Sequence, residues 1–484
     1  MLTRDEIYIG GTWRPPRSTA TITVISPSTE AAVATVPDAA DDDIDDAVAI
    51  ARRTFDESDW RWRDPLERIE IVERIGDAIE ARWPATAEAI TASIGTPIMV
   101  ARAMGSGSAG VFRSMAATAK TFPFIEERHG FERPATLLHE PVGVVGAITP
   151  WNGPVYLLAT KLAPALVAGC TIVIKPAPEA PLDAFALADA CDEAGVPPGV
   201  VSIVTGGLPA GQRLVEHPGV DMIAFTGSDT AGRSIMATAA ATLKRIELEL
   251  GGKSAAIVLE DADLATVIPQ LVPGTMLVTG QACALLSRVL VPRSRHDEIV
   301  GALCAGIQML PLGDPFDEGT VLGPLVSARQ RDRVERYIAL GREEGATVAL
   351  GGGRPAGMTT GWYVEPTVFT GVSNDTRVAR EEIFGPVVSV IPYDDEDEAV
   401  AIANDSPFGL AGAVFAEDRE RAFDVLRRIR TGVCTINGFG LDPGIPFGGF
   451  KGSGIGREGG VEGLRAYLET KAVFDTPAAP ISTA

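Results

Sequence analysis

The spacing of apolar and polar positions changes period along the chain. Residues 7–36 alternate over short spans, with Ile7-Tyr8-Ile9-Gly10-Gly11-Thr12-Trp13 reading as a hairpin and 21–25 as a β-rich strand. From Asp41 the period becomes helical, with acidic residues at the start and Arg52 and Arg53 later, the polarity that a helix dipole favours. Helical periodicity runs to about Lys120, with breaks predicted near Pro65, Pro84 and the Gly-Thr-Pro at 95–97. Residues 121–139 contain Pro123 and Pro134 and have mixed polarity, which predicts an extended arm leaving the domain.

An α/β alternation follows. The pattern predicts strands at 143–148, 171–174, 200–204, 222–225 and 245–250, and helices at 157–168, 182–194, 210–216 and 232–243. Strands separated by helices of this length imply right-handed crossovers and a doubly wound parallel sheet. Ligands of such sheets bind at the carboxyl ends of the strands. Those ends carry Pro150-Trp151-Asn152, Lys175, Gly206-Gly207 and Thr226-Gly227-Ser228. A second set has strands at 255–259, 287–291 and 387–391 and helices at 296–308 and 328–344. The tail at 468–473 is strand-like and 477–484 is expected to fray. No internal repeat is visible.

At 484 residues the chain exceeds one ordinary core, and two or three domains are expected. A content of 46 % hydrophobic and 22 % charged residues is that of a soluble globular protein. The formal net charge of −22 argues against nucleic acid and anionic membrane surfaces as partners. Cys170, Cys191, Cys283, Cys304 and Cys434 are widely scattered, which suits a reducing cytoplasm better than a disulfide framework. The first residues lack the pattern of a signal peptide, and no apolar run reaches the ~18 residues of a membrane span. Four histidines, none paired at helical spacing, leave no basis for a zinc site or a histidine triad, so no metal is expected.

Chemistry concentrates between Glu-Leu-Glu-Leu-Gly-Gly-Lys-Ser (247–254) and Gly-Gln-Ala-Cys (280–283). A cysteine acts as a nucleophile in its thiolate form, and a carboxylate can activate a thiol or a water. Cys283 and Glu249 are therefore a candidate nucleophile and base, the alternative being a glycine turn and a buried structural cysteine. Ser228, after the Gly227 turn, could present a helix N-terminus to phosphate or simply cap that helix. Gly207 and Gly211 do not spell the usual dinucleotide fingerprint. Lys175 could reach a ribose or phosphate, or be solvated. The Asn152 amide could donate to a developing oxyanion, a role worth ~2.7–4 kcal/mol, or cap a helix.

Taken together, these motifs resemble the aldehyde dehydrogenase superfamily nearly end to end. The resemblance begins at Ile9-Gly10-Gly11-Thr12-Trp13 and continues through Glu140-Pro141-Val142-Gly143, Thr149-Pro150-Trp151-Asn152, Phe225-Thr226-Gly227-Ser228, Glu247 to Ser254 and Gly280-Gln281-Ala282-Cys283. Glu381-Glu382-Ile383-Phe384-Gly385-Pro386, Pro446-Phe447-Gly448-Gly449-Phe450-Lys451 and Ser453-Gly454-Ile455-Gly456-Arg457-Glu458 follow in family order. It implies an α/β fold with two doubly wound Rossmann-like domains and a small β oligomerisation arm. Residues 1–118 and 140–250 would form the cofactor-binding domain, 251–450 the catalytic domain, 451–467 a return to the cofactor domain, and 119–139 with 468–484 the arm of a homodimer or homotetramer. The resemblance implies that Cys283 attacks an aldehyde, that Asn152 and the Cys283 N–H hold the oxyanion, and that Glu249 activates the water releasing the acid. Lys161 and Glu458 would support that base.

The same resemblance implies NAD, or NADP, bound with its pyrophosphate near Ser228 and the Trp151 turn and its adenosine ribose near Lys175. Glu382 would hold the nicotinamide ribose and Phe384 would pack beside the nicotinamide. Thr149, Pro150, Gly207, Gly211, Thr226, Gly227, Leu250 and Gly251 complete the implied cofactor set. The family commonly reads Lys-Pro-Ser-Glu where this chain has Lys175-Pro176-Ala177-Pro178, so the carboxylate that usually favours NAD is missing. No arginine stands beside it in sequence, and NAD remains the expectation. Thr160 replaces a common aromatic, and no Arg or Lys occurs in 439–445, which points to an uncharged aliphatic or aromatic aldehyde. Asp442 would instead suit a cationic aminoaldehyde. A coenzyme A-acylating relative generally lacks the glutamate present as Glu249, and a silent binding homologue would not need Cys283, Glu249 and Asn152 together.

Overall fold

The apolar strand runs are buried along nearly their whole length, as expected of parallel strands covered on both faces. The computed structural model describes residues 2–474. The predicted tail at 477–484 lies outside them. Five of these strands, Arg245–Glu249, Met222–Thr226, Val144–Ile148, Thr171–Lys175 and Val201–Ile203, lie parallel in that spatial order. Chain order therefore reverses between Val144–Ile148 and Met222–Thr226. This is the topological switch point at which doubly wound sheets open a crevice, and the segments leaving it are 149–152 and 227–228. The sheet is extended at one edge by the Ile7–Tyr8 and Trp13–Arg14 hairpin and at the other by Gly454–Ile455, antiparallel to Arg245–Glu249.

A second sheet runs Thr347–Leu350, Thr367–Thr370, Val387–Tyr393, Arg288–Pro292, Ala255–Val258, Ala411–Phe415, Val433–Ile436 in spatial order, and all but its first strand are parallel. Four of these strands were not legible in the pattern: those beginning at 347, 367, 411 and 433. They are short and lie among glycines and polar residues. A third sheet joins Ile125–His129, Pro134–Pro141 and Leu468–Val473, so the predicted arm is β-structure closed by the C-terminal strand. No helix among the described residues is long and apolar enough to cross a membrane.

Two local expectations are corrected. Pro84 does not interrupt the helical stretch: it lies inside the thirty-residue helix Pro65–Ile94, while Pro65 opens that helix and Gly95 closes it in the left-handed region. An internal proline costs ~3 kcal/mol, and here packing offsets it. The neighbouring Trp83 donates its indole N–H to Ala101 O (2.9 Å) on the next helix, Ile98–Thr121, and lies so close to Gly105 that a Cβ there would meet the ring at 2.3 Å. The helix predicted at 232–243 starts earlier, as Asp229–Ala239, with Ser228 at its N-cap.

Candidate active site

The site is built from loops that leave the two large sheets. Gly251 and Gly252, following the Arg245–Glu249 strand, permit the closest approaches: a Cβ on Gly252 would lie 2.5 Å from the Cys283 carbonyl oxygen, and one on Gly251 would lie 2.5 Å from the Glu382 carboxylate. Any side chain there would push Cys283 and Glu382 apart from Glu249. Cys283 itself sits in the loop between the turn at Leu277–Gly280 and the Arg288–Pro292 strand.

Two cavities meet at Cys283 and Asn152, which line both. The larger, about 850 Å³, is walled by Pro150, Trp151, Thr226, Gly227, Ser228, Glu249, Leu250, Gly251, Glu382 and Phe384 among the predicted residues, together with Arg329, Gln330 and Arg333. The second, about 710 Å³, is walled mostly by apolar side chains, with Glu458 at its inner end. Thr149, Lys175, Gly207 and Gly211 line neither. They gather at adjoining strand ends, where the Thr149 N–H donates to Lys175 O (3.2 Å) and the Lys175 ammonium donates to Pro176 O (2.8 Å) and Gly206 O (3.0 Å). Burial lowers the Lys175 ammonium to about 8.

Asn152 is free of the capping role open to it in sequence, because the following helix, Tyr156–Ala168, begins later and has Val155 at its N-cap. Ser228 does cap its helix, its hydroxyl accepting from the Ala231 N–H at 3.3 Å, and it also lines the larger cavity. The remaining first-turn N–H groups of such a helix attract anions. Phe384 has φ +63°, a conformation that non-glycine residues adopt only when neighbours enforce it. The helix Ala328–Glu343 supplies that enforcement: Gln330 donates to Phe384 O (2.6 Å), and Arg333 to Ile383 O (3.2 Å) and to Glu382 O. The Phe384 ring meets Trp151 edge-on, 5.5 Å between centroids. Gln330 and Arg333 were missed in sequence because on an amphipathic surface helix they look like any solvated pair.

Electrostatics at the junction are dominated by buried carboxylates. Glu382 accepts from the Gly252 N–H at 3.0 Å, and burial still holds it up at about 7, so a further donor such as a ribose hydroxyl would be gained at little cost. Burial, then Glu382 and Glu249, push the Cys283 thiol up to about 12. Glu249 is 3 % exposed and neither carboxylate oxygen has a hydrogen-bond partner. Burial, then Glu458 and Glu247, raise it well above the usual carboxylate range, against the pull of Lys161 and Arg457. Lys161 is fully buried, donating to Thr226 Oγ1 (2.6 Å) and to the Glu458 carboxylate. A large cavity with both polar and apolar walls, a helix N-terminus and a buried acceptor such as Glu382 suit the residues present to a dinucleotide.

Cys283 thus stands between a cavity of mixed lining and an apolar one, an arrangement suited to an enzyme that brings a cofactor and an apolar substrate to one thiol. The comparisons specify which. The chain belongs to the aldehyde dehydrogenase family, whose model matches residues 13–473 and whose members are oxidoreductases acting on aldehydes. A geranial dehydrogenase of Castellaniella defragrans is 46 % identical over 472 residues, covering 97 % of this chain and 98 % of the relative. Among solved structures, a Mycobacterium tuberculosis aldehyde dehydrogenase complexed with NAD+ superposes with a TM-score of 0.97 at 46 % identity, covering 99 % of this chain and 100 % of that one. A Pseudomonas syringae aldehyde dehydrogenase C mutant in complex with NAD+ and octanal gives 0.94 at 42 %, covering 97 % and 96 %.

Proposed function

We propose that this chain oxidises an uncharged, apolar aldehyde to its carboxylic acid with NAD+, through a thiohemiacetal and then a thioester on Cys283. The observation that carries the reading is the position of Cys283 and Asn152 on the shared wall of the two cavities. Cys283 loses its proton and its sulfur bonds to the aldehyde carbon. The Asn152 amide and the Cys283 backbone N–H hold the resulting oxyanion. When bound, the nicotinamide would accept that carbon's hydrogen with its bonding electron pair, as hydride, so that the C–H bond breaks and the C=O bond of the thioester forms. Glu249 then takes a proton from a water whose oxygen bonds to the thioester carbon, the C–S bond breaks, and the acid departs. Lys161, ion-paired with Glu458, supports the Glu249 anion from behind, while Glu458 opposes it. Ser228 and the Trp151 turn would hold the pyrophosphate, Lys175 the adenosine ribose and Glu382 the nicotinamide ribose, with Phe384 beside the nicotinamide.

The apolar cavity supports the substrate class. Met104, Val111, Met115, Leu157, Phe439 and Phe447 are among its walls, and no basic side chain is. The Thr160 hydroxyl is spent on Leu157 O of its own helix (3.0 Å). Asp442 is exposed and accepts from the Gly444 N–H (2.8 Å), which favours an uncharged substrate over a cationic one. The geranial-oxidising relative and the octanal-bound neighbour favour the same class. Each methylene buried from water contributes ~0.8 kcal/mol, so kcat/KM is expected to rise about fourfold per methylene through a series of linear aldehydes until the cavity is filled. A flat series, or preference for a carboxylated aldehyde, would overturn the assignment.

For the cofactor, Glu179 stands one residue beyond Pro178, acts on Lys175 and lies 3.9 Å from Arg329, so a carboxylate remains near the expected ribose site. That charge opposes a 2′-phosphate. kcat/KM is expected to favour NAD+ over NADP+ by ~tenfold or more, equivalent to ~1.4 kcal/mol; a preference for NADP+ would refute this. The domain division at 118, 140, 250, 450 and 467 is supported by the two large sheets and by the pairing of Gly454–Ile455 with the first of them. An exposed edge strand, Ile125–His129, with Ile125 70 % accessible, supports assembly through the arm into a homodimer or homotetramer.

A further inference from the structure

Glu247 has no task in the mechanism above, yet its environment is built. It precedes Glu249 by two positions in the Arg245–Glu249 strand, so both carboxylates leave the same face of the sheet. Ala224 is its register partner in the next strand and Ala147 lies one strand further, small side chains that leave room for a carboxylate. Glu247 is 2 % exposed and neither of its oxygens has a hydrogen-bond partner. The hydroxyl of Tyr467, fully buried just before the Leu468–Val473 strand, lies outside ideal hydrogen-bond geometry but close enough to Glu247 to favour its anion. The other groups around Glu247 are Lys161 on the Tyr156–Ala168 helix, Glu458 in the turn before the Gly460–Ala466 helix, and Glu249 on its own strand. Arg457 acts on Glu249, and the Cys170 thiol backs Tyr467 by donating to its carbonyl (3.5 Å).

Three carboxylates, Glu247, Glu249 and Glu458, are thus buried around one lysine. Lys161 is paired with Glu458, and unpaired charge in such a place costs several kcal/mol, so Glu247 and Glu249 keep protons that exposed carboxyls would release. We propose that Glu247 is a positioning residue for deacylation: lying with Tyr467 behind the Lys161–Glu458 pair, it shares the proton load of Glu249 and sets the pH at which Glu249 becomes a base. The proposal rests on the assignment of Glu249 as that base. Burial and then Glu458 hold Glu247 at about 8. Once it loses its proton, the charge left behind makes removal of the Glu249 proton harder, so the two titrate as a pair. Glu247→Gln keeps the shape, stays neutral, and lets Glu249 ionise at lower pH.

The test is the pH dependence of steady-state kcat and of the NADH burst in the parent, E247Q, Y467F and E249Q. In E247Q the rise of kcat with pH is expected about one pH unit lower, while the burst, which precedes deacylation, keeps the parent profile. Y467F, which removes the hydroxyl that favours the Glu247 anion, should move the same limb in the same direction by less. If neither variant shifts the limb while E249Q abolishes steady turnover, the role of Glu247 is overturned and the base assignment stands. If E249Q has equal burst and steady rates, both fall together.

Discussion

Cys283→Ala is expected to abolish NADH formation from every aldehyde, lowering kcat by ~10⁴-fold or more while leaving cofactor affinity near that of the parent. The effect is large because removal of the nucleophile eliminates both covalent intermediates. Asn152 and the backbone N–H can polarise a carbonyl, but without the sulfur no tetrahedral adduct forms for them to stabilise. Alanine leaves the loop between Leu277–Gly280 and Arg288–Pro292 unstrained, and Gly252 still packs on the carbonyl of residue 283. Cys434 is the other thiol in the apolar cavity, and it is poorly placed to substitute: it lies on the Val433–Ile436 strand, does not line the larger cavity, and its sulfur is hydrogen-bonded to Thr431 Oγ1 at 2.9 Å. Retained turnover in C283A would remove Cys283 from its role, and C283A combined with C434A would show whether the second thiol had taken it over.

Glu249→Gln is expected to separate the two halves of the cycle. Acylation needs Cys283 and Asn152, so a burst of NADH near one per site should survive. Deacylation needs a base, so the following steady rate should fall ~10²–10⁴-fold. The parent rate should rise with pH as Glu249 loses its proton, and that limb should vanish in the variant. Stability gives an independent check. A carboxyl whose folded-state value is raised contributes stability in full below its unfolded value, and that contribution is lost as pH rises toward the folded value. Glutamine carries no such charge, so above neutral pH E249Q is expected to melt at a higher temperature than the parent. Calorimetry across pH tests that sign, and a variant that melts lower throughout would mean that the buried Glu249 anion does not destabilise the fold.

Much of this site is readable in one dimension because its chemistry is carried by short runs. Glu249, Gly251 and Gly252 share one strand end, Trp151 and Asn152 another, and Thr226 to Ser228 a third; the last two are announced by a switch from apolar strand to small or polar residues, the first by its paired glycines. Parallel order in the first sheet also follows from the alternation of strands and helices. The pattern failed where local preference and packing disagree. Pro84 looks like a break, but the Trp83 indole anchored on Ala101 and pressed against Gly105 keeps the helix continuous. The strands at 411–415 and 433–436 become strands because they pair beside Ala255–Val258.

The sequence by itself determined the family, the α/β order, the nucleophile candidate Cys283, the base candidate Glu249 and the oxyanion donor candidate Asn152, since each depends on residue type within a few positions. Only the tertiary structure decided what surrounds them. Asn152 is released from capping by where the next helix begins, Phe384 is held at positive φ by Gln330 and Arg333 from a distant helix, and the apolar cavity draws its wall from segments around 104–115, 156–160, 273–284 and 433–447. Glu247 opens the 247–254 motif in sequence without any role of its own; only chain packing brings it together with Lys161, Glu458 and Tyr467. The reason is physical: burial and the neighbouring charges set the protonation of a carboxylate, and both are properties of surroundings assembled from residues far apart in the chain.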